Sequence, residues 1–273
     1  MSLPNPPGNH SSLVRQEARA CLPDWVSSKC RSWLFVPALD SAAQRRGLDS
    51  GADVLVADLE ELTAPQDRQA GCIRVVDFMA ECRQAGAMAA VRINSLDEDG
   101  RGQLEKVIEG GPAAVLISQT EAARHIEELD ALLGACETRL RLPLGRTAIV
   151  PVLASPLAIV RTFEVLAASP RVKAGMLAGR RLAKTLQIED PDDATALRHV
   201  RSRFALECAA AGCLAVDSGY AYPDAQALAN DLAWARGVGL RSKHAISEDQ
   251  VAALNQALLS STQIQENSLE RPR

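Results

Sequence analysis

The stretch Asp53–Glu60, "DVLVADLE", followed by Pro65–Gly86, "PQDRQAGCIRVVDFMAECRQAG", decides the fold. The first piece is a short apolar run closed by acidic residues, as a strand buried on both faces reads. The second carries apolar residues at helical spacing and stops on glycine. Moving outward, the couplet repeats. "SWLFVPA" precedes "SAAQRRGLDSG", "MAAVRIN" precedes "GRGQLEKVIEGG", and "AAVLIS" precedes "EAARHIEELDALLGACE". "AIVPVLA" leads to "SPLAIVRTFEVLAAS", "AGMLAG" to a helix centred on "DATALRHVRSRFALECAAAG", "LAVDSG" to "PDAQALANDLAWARGVG", and "RSKHAI" to "SEDQVAALNQALLSS". Such alternation predicts a parallel sheet with right-handed crossovers. Eight units over about 230 residues is the count and size of a closed (β/α)8 TIM barrel. An open doubly wound sheet is the alternative, but no GxGxxG follows the first strand. A single α/β barrel domain is therefore expected over residues 31–260. It would be flanked by a partly disordered extension (1–30) and a polar tail (261–273).

Composition removes several classes of function. With 30 Lys and Arg against 34 Asp and Glu, the net charge is -4 and the pI near 5.7, so no basic footprint for nucleic acid exists. Aromatic residues make up 3%, too few for base-stacking platforms. The seven cysteines are scattered without a CxxC pair, which argues against zinc and against a disulfide framework, and for reduced thiols in a cytoplasmic protein. No apolar run approaches the roughly 18 residues of a membrane span. These readings leave no nucleic acid and no membrane among the expected partners.

In a barrel of this kind, function sits where strands end and the βα loops begin. The second unit supplies Asp58, Glu60 and Glu61; the third, Arg92 and Asn94; the fourth, Ser118, Gln119 and Glu121. Ala154 and Ser155 follow the fifth strand, Arg180 and Arg181 the sixth, Asp217 the seventh, and Lys243 and His244 the eighth. Asp58 and Glu60 fall two residues apart, on one strand face. Arg92 leaves an otherwise apolar strand, and a guanidinium there needs a carboxylate partner, from the protein or from a substrate. Lys243 is a candidate cation for a phosphate or carboxylate. No GxSxG elbow is present, so a serine hydrolase is not indicated.

Taken together, "RSWLFVPA", "GADVLVADLEELTAPQDR", "AVRINSL", "HVRSRFALECAAAG", "AVDSGYA" and "KHAISEDQV" resemble the citrate lyase beta-subunit-like branch of the HpcH/HpaI aldolase family in order and spacing. The resemblance covers about Arg31 to Leu259. It implies a (β/α)8 barrel and a C–C bond lyase acting on citryl-, malyl- or citramalyl-CoA or a related carboxylic acid. It also implies a magnesium ion that supports an enolate-like intermediate, and a homo-oligomer, often a trimer. The family's substrate-binding arginine falls on Arg92, its DLED on Asp58 to Glu61, and its strand-seven aspartate on Asp217. Arg92, Asp58, Glu60 and Arg181 are the expected catalytic residues, and Arg92, Ser155, Asp217 and Lys243 the expected substrate contacts.

The departures lie at the metal. "ASPLA" stands where the family has ETARG, so Ala154 occupies the position of one metal-binding glutamate. "AGRRL" stands where the family has GAEDL, so Arg181 occupies the position of the aspartate ligand. Gln119 replaces a lysine and Ser247 a histidine. Neither alanine nor arginine can coordinate a hard cation. The sequence thus implies an altered site without the usual metal ligands, Asp58 and Glu60 being the remaining oxygen donors. Two functions stay open: a lyase in which Arg181 supplies the ion's positive charge, and a catalytically silent barrel that binds an acyl-CoA or organic acid, or acts as a partner subunit.

Overall fold

The computed structural model describes residues 30–258. The expected extension, apart from Cys30, and the expected tail lie outside the described residues. Eight strands close into one barrel in sequence order, each parallel to the next, and β1 completes the ring against β8. They are β1 (Ser32–Pro37), β2 (Val54–Asp58), β3 (Met88–Ile93), β4 (Ala114–Ile117), β5 (Ala148–Leu153), β6 (Ala174–Leu177), β7 (Leu214–Asp217) and β8 (Ser242–Ala245). Helices α1 (Ser41–Asp49), α2 (Arg68–Gln84), α3 (Gly100–Val107) and α4 (Ala123–Arg139) follow the first four strands. The fifth is followed by two short helices, α5 (Pro156–Val160) and α6 (Thr162–Ala167), where the sequence reads as one. After β6 come α7 (Gly179–Thr185) and α8 (Arg198–Ala211), then α9 (Ala225–Gly237) and α10 (Glu248–Ala257).

Side-chain alternation along the strands builds two separate cores. Trp33, Val54, Val56, Ala90, Leu116, Val150, Val152, Met176 and Val216 fill the barrel interior. The alternate positions, among them Leu55, Ala57, Val91, Ile93, Leu177, Ala215 and Ala245, pack outward against the helices. Strand parity therefore assigns each strand-end residue to one of two environments. Asp58 shares the parity of Val54 and Val56 and faces inward; Asp217 shares that of Ala215 and faces the helices.

Candidate active site

The inward residues at the ends of β2 and β3 meet at the mouth. Asp58 and Arg92 are register partners on these neighbouring strands, which sets their side chains side by side. Arg92 donates from Nε to Asp58 Oδ1 at 2.8 Å and from Nη2 to Asp58 Oδ2 at 2.5 Å. The backbone after β2 curls around the same carboxylate, with N–H groups of Glu60, Glu61 and Leu62 donating to it at 2.9, 3.3 and 3.0 Å. A buried carboxylate needs this many donors. The turn also aims the next two side chains, Glu60 and Glu61, across the mouth. Burial, the largest influence on the Arg92 guanidinium, favours its neutral form, but Asp58, Glu61 and Glu60 outweigh it and raise its pKa above the ordinary arginine value. The guanidinium also lies over the Phe35 ring at 4.7 Å.

Arg181 completes the cluster. The sequence places it at a strand end; the structure places it in the first turn of α7. Gly179 allows this approach, since a Cβ there would meet Tyr220 Oη at 2.6 Å and Ser218 Oγ at 2.9 Å. From α7, Arg181 Nη2 reaches Glu60 Oε1 at 3.0 Å and Glu61 Oε1 at 2.6 Å. Glu60 Oε2 accepts from Ser118 Oγ at 2.5 Å and lies 3.4 Å from Arg92 Nε. Glu61 Oε2 accepts from Arg92 Nη2 at 2.9 Å. Arg180, the other half of the arginine pair, lines the same mouth and pairs with Asp192, at 2.9 and 3.1 Å.

Arg181 separates two cavities. One, of about 280 Å³, is lined by Arg92, Arg180, Arg181, Lys184, Glu61 and His244 over an apolar wall that includes Phe35, Val152 and Met176. The other, of about 510 Å³, holds Ala154, Ser155, Gln119 and four carboxylates, those of Asp97, Glu98, Glu121 and Glu128. Ser155 donates to Glu121 at 2.6 Å and caps α5 by accepting from Ala158 N at 3.1 Å. Gln119 has a left-handed backbone (φ 58°), unusual for a residue with a Cβ, at this cavity's edge. His244 stands half-buried in the first cavity wall, edge-on to Phe35 at 4.7 Å. Desolvation, then the charges of Arg92, Lys243 and Arg180, push its pKa down to about 3 against the pull of Asp58, so the imidazole is neutral.

Two expected substrate contacts lie elsewhere. Asp217 and Lys243 are register partners with outward parity, fully buried between the sheet and the helices, and they line neither cavity. Lys243 Nζ donates to Asp217 Oδ2 at 2.7 Å and to the Ser218 carbonyl at 2.6 Å, and lies 3.2 Å from Asp231. Arg201 of α8 donates to both Asp217 oxygens, at 2.9 and 2.6 Å, and pairs with Asp231 at 2.8 Å. Asp217 and Lys243, expected as substrate contacts, thus sit in a buried charge network with Arg201 and Asp231. Arg201 itself reads as an ordinary helix residue in the sequence, while Glu61 reads as a strand-end carboxylate at the end of the DLED match, with no role assigned to it. Counting alternate residues back from the strand ends separates His244 from Lys243; Glu61 is marked by its place after β2 and in the DLED match, whereas no comparable signal marks Arg201.

The donor atoms at the mouth are thus committed. Both oxygens of Asp58, Glu60 and Glu61 face guanidinium, hydroxyl or backbone N–H groups. Among the described residues, no group of three or more His, Cys, Asp or Glu side chains is placed to hold a metal ion.

The family model described as HpcH/HpaI aldolase/citrate lyase matches residues 31–247. This chain belongs to that family. Its relatives include the citrate lyase subunit beta of Escherichia coli (strain K12), 26% identical over 227 residues, which are 82% of this chain and 75% of the relative. The L-malyl-CoA/beta-methylmalyl-CoA lyase of Rhodobacter capsulatus is 26% identical over 168 residues, 57% of this chain and half of that enzyme. Among solved structures, the citrate lyase beta subunit from M. tuberculosis, complexed with oxaloacetate and magnesium, superposes with a TM-score of 0.67 at 22% identity. It covers 86% of this chain and 99% of its own. A Haloferax volcanii malate synthase in a magnesium/glyoxylate complex reaches a TM-score of 0.74 at 18% identity, over 85% of this chain and 76% of its own. These likenesses carry the barrel fold. No helix among the described residues is long and apolar enough to cross a membrane.

Proposed function

We propose that this chain is a C–C bond lyase acting on a short-chain hydroxyacyl thioester of the citryl-, malyl- or citramalyl-CoA class, or a related carboxylic acid. In this reading arginine takes the electrostatic place of magnesium. The observation that carries it is Arg181, held by Glu60 and Glu61 beside Arg92 at the mouth. In such a cleavage the substrate hydroxyl passes its proton to solvent and becomes a carbonyl. The electron pair of the breaking C–C bond moves into the thioester carbonyl, and the enolate so formed takes a proton back on carbon. The resulting enolate oxygen needs a fixed positive partner. Arg92, oriented by Asp58, seats the substrate carboxylate. Arg181, oriented by Glu60, faces the developing oxyanion. Ser155 offers a hydroxyl at the second cavity, while Asp217 and Lys243 act at one remove by holding Ser218. We carry the homo-oligomeric state over from the family resemblance.

Magnesium demands near-octahedral oxygen coordination. Ala154 provides no donor, and the mouth carboxylates are bound to cations, so the residues present do not fit that ion. Purified protein offered citramalyl-, malyl- and citryl-CoA is accordingly expected to cleave one of them equally well with magnesium and with EDTA. Cleavage lost in EDTA would instead mean a relocated metal on Asp58 and Glu60. The ion pairing of all three mouth carboxylates also favours a second reading, a barrel that binds the ester without cleaving it, because none of the three stands uncommitted to take the hydroxyl proton. Binding without cleavage in either condition would establish that alternative.

A further inference from the structure

The two guanidiniums of the mouth already share a carboxylate. Glu61 bridges them, Oε2 on Arg92 Nη2 at 2.9 Å and Oε1 on Arg181 Nη2 at 2.6 Å, inside the cationic cavity. An organic acid would make the same pair of contacts with the same two side chains. We infer that Glu61 is an internal competitor, whose carboxylate holds the place of a ligand carboxylate, and that a short-chain dicarboxylate binds by displacing it. The inference rests on the carboxylate-binding mouth proposed above.

Three features single out Glu61 from its neighbours. Its side chain is 45% exposed, against 0% for Asp58 and 9% for Glu60, so its ion pairs are the weakly held ones. Its departure strands no charge, because Asp58 stays on Arg92 and Glu60 stays on Arg181. Its reach is a matter of side-chain length, since its backbone N–H is tied to Asp58 at 3.3 Å. The rest of the cavity suits the other end of such a ligand. Phe35, Val152 and Met176 give an apolar wall for a short carbon chain. Lys184 lies one helical turn beyond Arg180 and Arg181, on the same cavity wall. A second carboxylate would face it.

An internal competitor lowers apparent affinity by the fraction of time that it stands aside. If that fraction is about one tenth, removing the competitor tightens binding roughly tenfold. The test is titration calorimetry of the full chain with malonate and with succinate at fixed ionic strength. Glu61→Gln is expected to bind one of these acids roughly tenfold more tightly than the natural protein. Glu61→Asp, too short to span both guanidiniums, should fall between the two, and Arg181→Gln should bind more weakly. Glu61→Gln binding no tighter than the natural protein overturns the inference. If Arg181→Gln still weakens binding in that case, the carboxylate site stands and only the competition fails. If Arg181→Gln leaves the affinity unchanged, or if neither acid binds any of the proteins, the carboxylate-site reading falls with it.

Discussion

Two ion pairs of the barrel are built alike and end differently. Asp58 and Arg92 are register partners on β2 and β3; Asp217 and Lys243 are register partners on β7 and β8. Each sets a carboxylate beside a cation in neighbouring parallel strands. The first pair faces inward and opens on the mouth, where it is joined by the half-exposed Glu61 and Arg181. The second faces outward and is sealed under α8 and α9, where Arg201, Asp231 and the Tyr222 hydroxyl complete it. Parity along the strand, more than residue type, decides whether a strand-end charge opens on the mouth or packs beneath the helices. On the inference above, inward charge is exchangeable for a ligand's, whereas outward charge has nowhere to go.

The largest effect should come from breaking the sealed cluster. Arg201→Met leaves two buried carboxylates to one cation, Lys243, and the Tyr222 hydroxyl, and removing one partner of a buried pair costs about 3–5 kcal/mol. The urea midpoint is expected to fall accordingly. A near-neutral change would mean that solvent enters the cluster and that the contrast with the mouth is false. Arg181→Gln should do the reverse. Its side chain is 35% exposed, so the change in stability should stay within about 1 kcal/mol. On the proposed mechanism, cleavage of the CoA ester should nevertheless fall by roughly 10²–10³. If Arg181→Gln unfolds the protein as readily as Arg201→Met, the mouth is a structural cluster as well.

Much of the barrel is legible because its code is repetitive. Each of the eight apolar runs is short and flanked by breakers, and the closed ring requires nothing beyond their count and alternation. The conjunction of Asp58, Glu60 and Arg92 is legible too, because a carboxylate and a guanidinium leaving adjacent apolar strands have few ways to be satisfied except by each other. Arg181 is only half legible. Its place after β6 can be read, but the short helix α7 that carries it depends on the close approach of Gly179 to Ser218 and Tyr220, a contact between units far apart in sequence. Residue type suggests the mouth for Lys243 and Asp217, and parity along β7 and β8 sets them beneath the helices. Arg201 is beyond single-sequence reading, since its partners Asp217 and Asp231 lie on a strand and a helix that only the closed barrel brings to it.

The smallest expected effect sharpens the contrast through pH. The His244 pKa of about 3 lies below the ordinary 6.5, chiefly through desolvation and then through Arg92, Lys243 and Arg180. Between those values the unfolded chain takes up a proton that the folded chain refuses. Stability therefore falls as pH drops through this window. In the sealed cluster, burial of Asp231 favours its neutral form, but Lys243, Arg201 and Tyr222 outweigh it and hold its pKa at about 2, below the ordinary 3.8. Its contribution is fully present above pH 3.8 and is lost only as pH falls towards 2. The mouth and the sealed cluster thus lose stability to acid in different ranges. His244→Asn has no proton to refuse, so its melting temperature should decline less than that of the natural protein between pH 6.5 and about 3, and in parallel with it below that. Melting curves at pH 7, 5 and 3.5 suffice. Parallel declines over the whole range would mean that His244 takes its proton at the mouth, in contact with water, and that this wall of the cavity is wetter than its neighbours Phe35 and Ala245 imply.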